Sequence, residues 1–335
     1  MKGKAFSVLA DFGLYFVLLA LVLVSALLSP LFFTYNNIVN LLTQCSFVGL
    51  LSLGMTFVIL VGGIDLSVGS VVGFSSILYA TMMHGNFFTW MPKEIFIYKG
   101  APVLTPVLPF PLDVLFVLFI GACIGLASGA LAYRFRIHSF IITLCIMIFT
   151  RGLAVSYTHG QPLFGVPDPL TFLAQGSAAR IPMPTIIWIG ASIIGLLFLR
   201  FLRFGRNIYA VGGNEEVARL SGIQPAVYRI FPFVASAFCA ALVGILMSGR
   251  MGAGDPKIGQ GWELDAIAAV VIGGASLSGG KGSAAGTVVG VLIMALIINI
   301  MNLLKIEAYP QQMAKGIIII AALALQSLIS RRKRI

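Results

Sequence analysis

The chain has 335 residues, of which 59% are hydrophobic and only 10% charged, with a net charge of +11 and a mean hydropathy of +1.01. A soluble domain carries about 25% charged residues, so this composition excludes one and points to an all-α integral membrane protein. The apolar runs are continuous rather than alternating, which excludes a β-barrel, and the basic residues gather at the ends of those runs, which makes the charge a matter of topology and not of nucleic-acid binding.

The first apolar run, 9–28, follows MKGKAFSVLADFG. It is too long for a signal h-region and no small-x-small cleavage site follows it, so it reads as a retained first helix. Further spans fall near 38–61, 67–83, 112–132, 140–157, 184–202, 229–250, 263–279, 284–303 and 311–330, each near the length a bilayer demands. That gives about ten transmembrane helices in a single transmembrane domain, 1–335. Ten spans put both termini on one side. With the termini in the cytoplasm, fourteen of the 22 Lys and Arg residues lie in inside segments and six in outside ones, the asymmetry expected of that orientation. Arg151 and Lys315 fall within spans, where snorkelling from a span end accounts for them. Cys45, Cys123, Cys145 and Cys239 lie in apolar runs without paired spacing and read as buried, inert thiols.

Between the second and third spans the chain reads GGIDLSVGSVVG (62–73), and between the eighth and ninth it reads GGASLSGGKGSAAGTVVG (273–290). Both carry GG-x-x-LS-x-G, which suggests an internal duplication. The topology places both copies on the same side. A parallel repeat, a different span count and convergent glycine chemistry stay open as explanations. Gly62-Gly63 and Gly273-Gly274 permit a sharp break, after which Asp65, Ser67, Ser276 and Ser278 can accept from free N–H groups of the next helix. Broken helices survive in membranes only when buried in protein or beside a water-filled cavity. One reading is a capped tight turn. The other is a translocation pathway or gate built on Gly62, Gly63, Asp65, Ser67, Gly273, Gly274 and Ser276.

The segment SGGKGS (278–283) is not a phosphate loop, because Ala275 and Gly282 stand where G-x-x-x-x-G-K-[ST] needs Gly and Ser or Thr. Any ATP is bound by another chain. Two outside loops, 84–111 and 158–183, are rich in proline and aromatic residues, which favours ordered turns. The inside loop 200–229 contains GRNIYAVGGNEEVARLSGI (205–223), which reads as a short helix. Asn214 is its N-cap, Glu215 and Glu216 its first turn, Val217, Leu220 and Ile223 its apolar edge, and Gly222 its stop. Such a helix can lie on lipid, pack on its own protein or dock in a groove of a soluble partner. Glu263 and Asp265 stand at the outer start of the eighth span, as N-terminal helix acids or as a contact at the outer mouth. His84, His138 and His159 are isolated and no metal cluster or nucleophile–base set can be named, so an intramembrane enzyme has little support and no cofactor is expected.

The stretches GMTFVILVGGIDLSVGS, FGRNIYAVGGNEEVARLSGI and ELDAIAAVVIGGASLSGGKGSAAGTVVG, in this order, with FIITLCIMIFTRGLA (140–154), closely resemble the membrane permease subunits of bacterial ABC importers for monosaccharides. The resemblance covers nearly the whole chain, within the ribose, xylose, arabinose and galactose branch, and is greatest toward ribose permeases. It implies a non-catalytic transport subunit in the bacterial inner membrane, a second permease chain, a cytoplasmic ABC ATPase and an extracytoplasmic sugar-binding protein. It also implies that Gly212, Gly213, Asn214, Glu215, Ala218, Arg219 and Gly222 contact the ATPase. The competing reading is an ion-coupled secondary transporter, which calls for paired acids deep in the spans. Only Asp65 lies near the membrane interior, and it sits beside a break.

Overall fold

The computed structural model describes residues 2–83, 97–98, 101–102 and 106–332. The long helices are α1 (Lys2–Leu28), α2 (Tyr35–Leu60), α3 (Val68–Met83), α4 (Leu112–Phe135) and α5 (Ser139–Thr158). After the short α6 (Asp168–Gln175) come α7 (Met183–Phe201), α8 (Arg203–Gly213), α9 (Glu215–Leu220), α10 (Pro225–Met251), α11 (Trp262–Ile272), α12 (Ala284–Leu303) and α13 (Ala308–Arg332). Two-residue strands form three antiparallel ribbons. These pair β1 (Ile97–Tyr98) with β2 (Ala101–Pro102), β3 (Leu163–Phe164) with β6 (Ala253–Gly254), and β4 (Ser177–Ala178) with β5 (Ile181–Pro182). Most of the expected outer loop 84–111 lies outside the described residues, as do Lys333 and Arg334. The other expected outer loop, 158–183, folds into β3, α6, β4 and β5.

Each of the ten expected apolar segments holds one helix. Among the described residues, six of these, α2, α4, α5, α7, α10 and α12, are long and apolar enough to cross a membrane, while α3 and Gly13–Leu28 of α1 are shorter apolar helices. The expected eighth span, 263–279, needs correction. Its helix α11 stops at Ile272 after 11 residues, a rise of roughly 16 Å, or about half a bilayer core. The cause is local. Gly273 and Gly274 follow, the second at a φ of 90°, and the chain turns back into α12. The two helices then run antiparallel, with Gly286 against Gly273 and Gly290 against Ala269.

The helix α10 is the centre of the bundle and packs against α4, α3 and α2. Along α4, Gly121, Gly125 and Gly129 stand one turn apart and face Ala241, Phe233 and Ile230 of α10 in reverse order. Small residues at that spacing let two backbones approach, which is how helices associate in lipid, where burial of apolar surface gives no net drive. A Cβ on Gly129 would come to 2.9 Å from the Ile230 carbonyl oxygen. The helix α2 also descends α10, with Gly54 beside Ser236 and Val61 beside Arg229. Hydroxyl and amide pairs fix the register of α2 on α12: Thr56 and Thr287 share a hydrogen bond of 2.7 Å, and the Asn37 and Asn299 amides bond reciprocally at 2.8 and 3.2 Å.

In contrast, α5 is peripheral. Only Thr143, Thr150, Ala154 and Thr158 are buried, and their spacing puts them on one helix face. Much of the remaining surface of α5 is apolar and exposed, including Ile148 and Phe149. The four cysteines are unpaired, but the expectation of burial holds fully only for Cys45, and Cys145 is exposed on this outer face of α5.

Candidate functional site

The first glycine break begins where α2 ends. Gly62 takes a φ of 72°, and the chain turns back up α10, with Gly63 against the Phe233 ring and Val72 to Ser76 against Gly244. Residues 64–67 are not helical, so their backbone groups need partners inside the protein. The first turns of α5 supply them. Ser139 Oγ accepts from the Ile64 amide at 3.0 Å, and Thr143 Oγ1 accepts from the Leu66 amide at 3.1 Å. About two turns further along α5, Thr150 donates to Ser70 Oγ at 2.7 Å. Asp65 is buried and accepts from the Ser67 amide at 2.9 Å and from the Ser67 hydroxyl at 2.6 Å. The carboxylate therefore closes the turn that starts α3.

The second break, 273–283, is the hairpin between α11 and α12. Ser276 Oγ accepts from the Ser278 amide at 3.3 Å. The cap of α12 is Ser283, which accepts from the Gly286 amide at 3.0 Å. Sequence reasoning assigned that task to Ser276 and Ser278. The signal was present, since Ser283 directly precedes the helix-forming Ala284-Ala285. The two breaks touch: the Gly280 amide donates to the Leu60 carbonyl at 2.8 Å, and Gly62 lies against the Ser278 carbonyl.

The starts of α3 and α11 meet deep in the bundle. Gly69 and Gly259 approach backbone to backbone, with the Glu263 carboxylate against the same glycine. Arg151 of α5 holds this contact. Its guanidinium donates to the Ile258 carbonyl at 2.9 Å, to the Gly69 carbonyl at 2.8 Å and to the Pro256 carbonyl. The expectation that Arg151 snorkels to a span end is thereby corrected. Lys315 likewise pairs with Asp265 at 2.8 Å, joining α13 to α11. Asp265 is buried in that pair, in the first turn of α11 with Glu263, the position the sequence offered either for N-terminal helix acids or for a contact at the outer mouth.

The loop 200–229 folds into two helices where one was expected. The buried face of α8 is Gly205, Ile208 and Val211. Tyr209 donates to the Gly282 carbonyl at 2.9 Å, and burial pushes its phenol pKa up from the ordinary value. Gly212 sits on the end of α2, so that a Cβ there would be driven into the Leu60 carbonyl. Gly213 is the last residue of α8 and has open space around it. The sharp turn into α9 is made by Asn214 in an extended conformation, φ −161°.

Asn214 caps α9 as expected, its side chain accepting from the Glu216 and Val217 amides at 3.0 and 3.1 Å. The stop is the expected one as well. Gly222 has a φ of 81°, and the Ile223 amide reaches back to the Ala218 carbonyl at 3.1 Å, a glycine-terminated helix end. Val217 and Leu220 are exposed, at 58% and 78%, whereas Ala218 is buried at 3%. Arg219 is exposed and bonds Glu216 at 2.7 Å. That hydrogen bond, with the charge of Glu216, raises the guanidinium pKa. A cavity of about 930 Å³ lies between α9, the α4–α5 turn and the first break, with Gly62, Gly63, Arg136, Glu215 and Arg229 in its wall. Among the described residues no group of His, Cys, Asp or Glu side chains is placed to hold a metal ion.

The sequence matches the family described as branched-chain amino acid transport system / permease component over residues 37–323. It is 36% identical to the ribose import permease protein RbsC of Haemophilus influenzae, over 95% of this chain and 94% of the relative. It is 38% identical to the protein of the same name from Bacillus subtilis, over 95% and 93%. It is 35% identical to the D-allose transport system permease protein AlsC of Escherichia coli, over 96% and 92%. No solved structure matches the chain.

Proposed function

The chain belongs to the permease-component family of bacterial ABC importers, among the monosaccharide permeases, and on that premise we propose that it forms the translocation pathway for a ribose-like monosaccharide. It works as one of two permease chains in the bacterial inner membrane, with both termini in the cytoplasm. A sugar-binding protein delivers the substrate from outside, and a separate ABC ATPase supplies the energy. The observation that carries the reading is the position of α9. Its exposed Val217, Arg219 and Leu220 form a small docking face, and α8, which leads into it, rests on the end of α2 and on the second break through Gly212 and Tyr209.

Each part then has a task. Asn214 and Gly222 fix a stiff six-residue element that receives force from the ATPase. Gly62, Gly63, Gly273 and Gly274 are the flexible points through which that force rearranges the helices on either side. Asp65, Ser67 and Ser276 keep the turns defined while this happens. The matched relatives are named for ribose and D-allose, which supports an aldose of five or six carbons as the substrate.

The test is reconstitution in vesicles with an ABC ATPase and a sugar-binding protein, measuring uptake of labelled ribose and allose. Uptake that requires ATP inside and binding protein outside is the expected result. Uptake by this chain alone, driven by a proton or sodium gradient, establishes the secondary-transporter alternative instead.

A further inference from the structure

We propose that Arg229 is the positioning residue that transmits movement of α9 to the break between α2 and α3. The inference rests on the permease reading above and adds the route by which its coupling element acts. Arg229 lies in the second turn of α10 and reaches two elements at once. One guanidinium nitrogen pairs with Glu215 of α9 at 2.7 Å. Another donates to the Val61 carbonyl at 2.9 Å. Val61 is the C-cap of α2 and directly precedes Gly62.

The chemistry suits a relay better than a brace. Val61 O is one of the carbonyls that a helix end leaves without an internal partner, and a cation there is favoured by the helix dipole. Glu215 stands at the opposite pole, in the first turn of α9. The planar fork of a guanidinium can serve both with fixed geometry, which an ammonium cannot. The pair is 34% and 40% exposed, so solvent screens it and it adds little to stability. Its value lies in what it connects. The third donor, Nε–H, is buried with no hydrogen-bond partner. A buried donor left open is costly, and it is free to take up an acceptor in a second arrangement of the same residues.

The neighbouring carbonyl sharpens the argument. Leu60 O is taken by the Gly280 amide of the second break. The last two carbonyls of α2 are therefore held by different segments, and Arg229 is the one that also touches α9. When the ATPase displaces α9, Arg229 carries the displacement directly to Val61, and hence to the Gly62 turn, beside the backbone route through α8 and Gly212.

The experiment compares sugar transported per ATP hydrolysed in reconstituted complexes containing wild-type chain, Arg229→Met, and the exchange Glu215→Arg with Arg229→Glu. Arg229→Met is expected to lower the ratio about tenfold, the factor for losing one charged hydrogen bond, with the amount in the membrane and ATPase copurification held. The exchange restores the ion pair, but a carboxylate cannot donate to Val61, so its ratio is expected to stay low. A wild-type ratio in Arg229→Met, or full recovery in the exchange, overturns the proposal. If Arg229→Met does not reach the membrane, Arg229→Lys decides in the same way, a lowered ratio supporting the relay and a wild-type ratio ending it. A wild-type complex without ATP-dependent uptake sinks the permease reading itself, which is a separate outcome.

Discussion

Gly69, in the first turn of α3, and Gly259, just before α11, meet backbone to backbone. A Cβ on Gly69 would be driven into the Gly259 carbonyl and the Glu263 carboxylate, and one on Gly259 into the Gly69 carbonyl. The joint exists because neither residue has a side chain. Arg151 then binds carbonyls on both sides of it.

Gly69→Ala and Gly259→Ala are each expected to destabilise the chain by about 1–3 kcal/mol, the usual cost of forcing extra volume into a packed interior. Thermal unfolding in detergent, followed by size-exclusion fluorescence, reads this as a lowered midpoint. Gly259→Ala is the harsher of the two, because that residue also has a φ of 79°, a region L side chains avoid. An unchanged midpoint in both variants removes the joint from the structure.

The glycine pair before α9 divides the same way. Gly212→Ala is expected to lose stability and uptake together, since α8 can no longer rest on Leu60. Gly213→Ala is expected to keep both, because it ends a helix in open space where alanine is the better helix former. Parallel uptake and melting measurements distinguish the two, and equal behaviour contradicts the packing of α8 on α2.

The docking face of α9 is best tested at Leu220 and Arg219, which are exposed. Leu220→Asp and Arg219→Glu are expected to insert normally, weaken ATPase copurification and reduce uptake. Ala218→Asp is a poor probe, because it would bury a carboxylate in the chain's own packing. Asn214→Ala removes the cap at a cost of about 0.5–2 kcal/mol, confined to this short helix, so its effect belongs on coupling and not on the melting midpoint. Pull-down from detergent checks all three, and full ATPase binding by Leu220→Asp returns α9 to a structural role.

Asp265 and Lys315 form a pair whose side chains are 9% and 29% exposed. Lys315→Met leaves a buried carboxylate alone and is expected to cost about 3–5 kcal/mol, whereas Lys315→Met with Asp265→Leu is expected to recover most of it. A double-mutant cycle on the melting midpoint measures the coupling. Equal loss in the single and double variants means the pair does not hold α13 on α11.

What the sequence disclosed and what it hid divide along sequence distance. Asn214 and Gly222 were legible because capping is chemistry among residues three or four apart. The apolar segments were legible because a bilayer imposes length and composition. The stop of α11 at Ile272 was not, since LDAIAAVVIGGASL remains apolar on average through the turn. Arg151 and Lys315 looked alike as cations inside spans, yet one binds backbone carbonyls in two other segments and the other pairs with a carboxylate. Hydropathy carries no record of partners. The contact between the two GG-x-x-LS segments was half legible. Placing them on the same side put them within reach, but nothing local specifies that Gly280 bonds Leu60.

The clamp of Arg151 also sets an order on biogenesis. Synthesis runs from the N-terminus, and segments fold as they emerge. Arg151 is made about a hundred residues before the carbonyls of Pro256 and Ile258 that it holds. Until those arrive, Gly69 alone among its partners is present. The α11–α12 hairpin therefore finds its seat only after α3 and α5 stand together, and a nascent chain arrested before residue 255 carries an open arginine socket awaiting its plug.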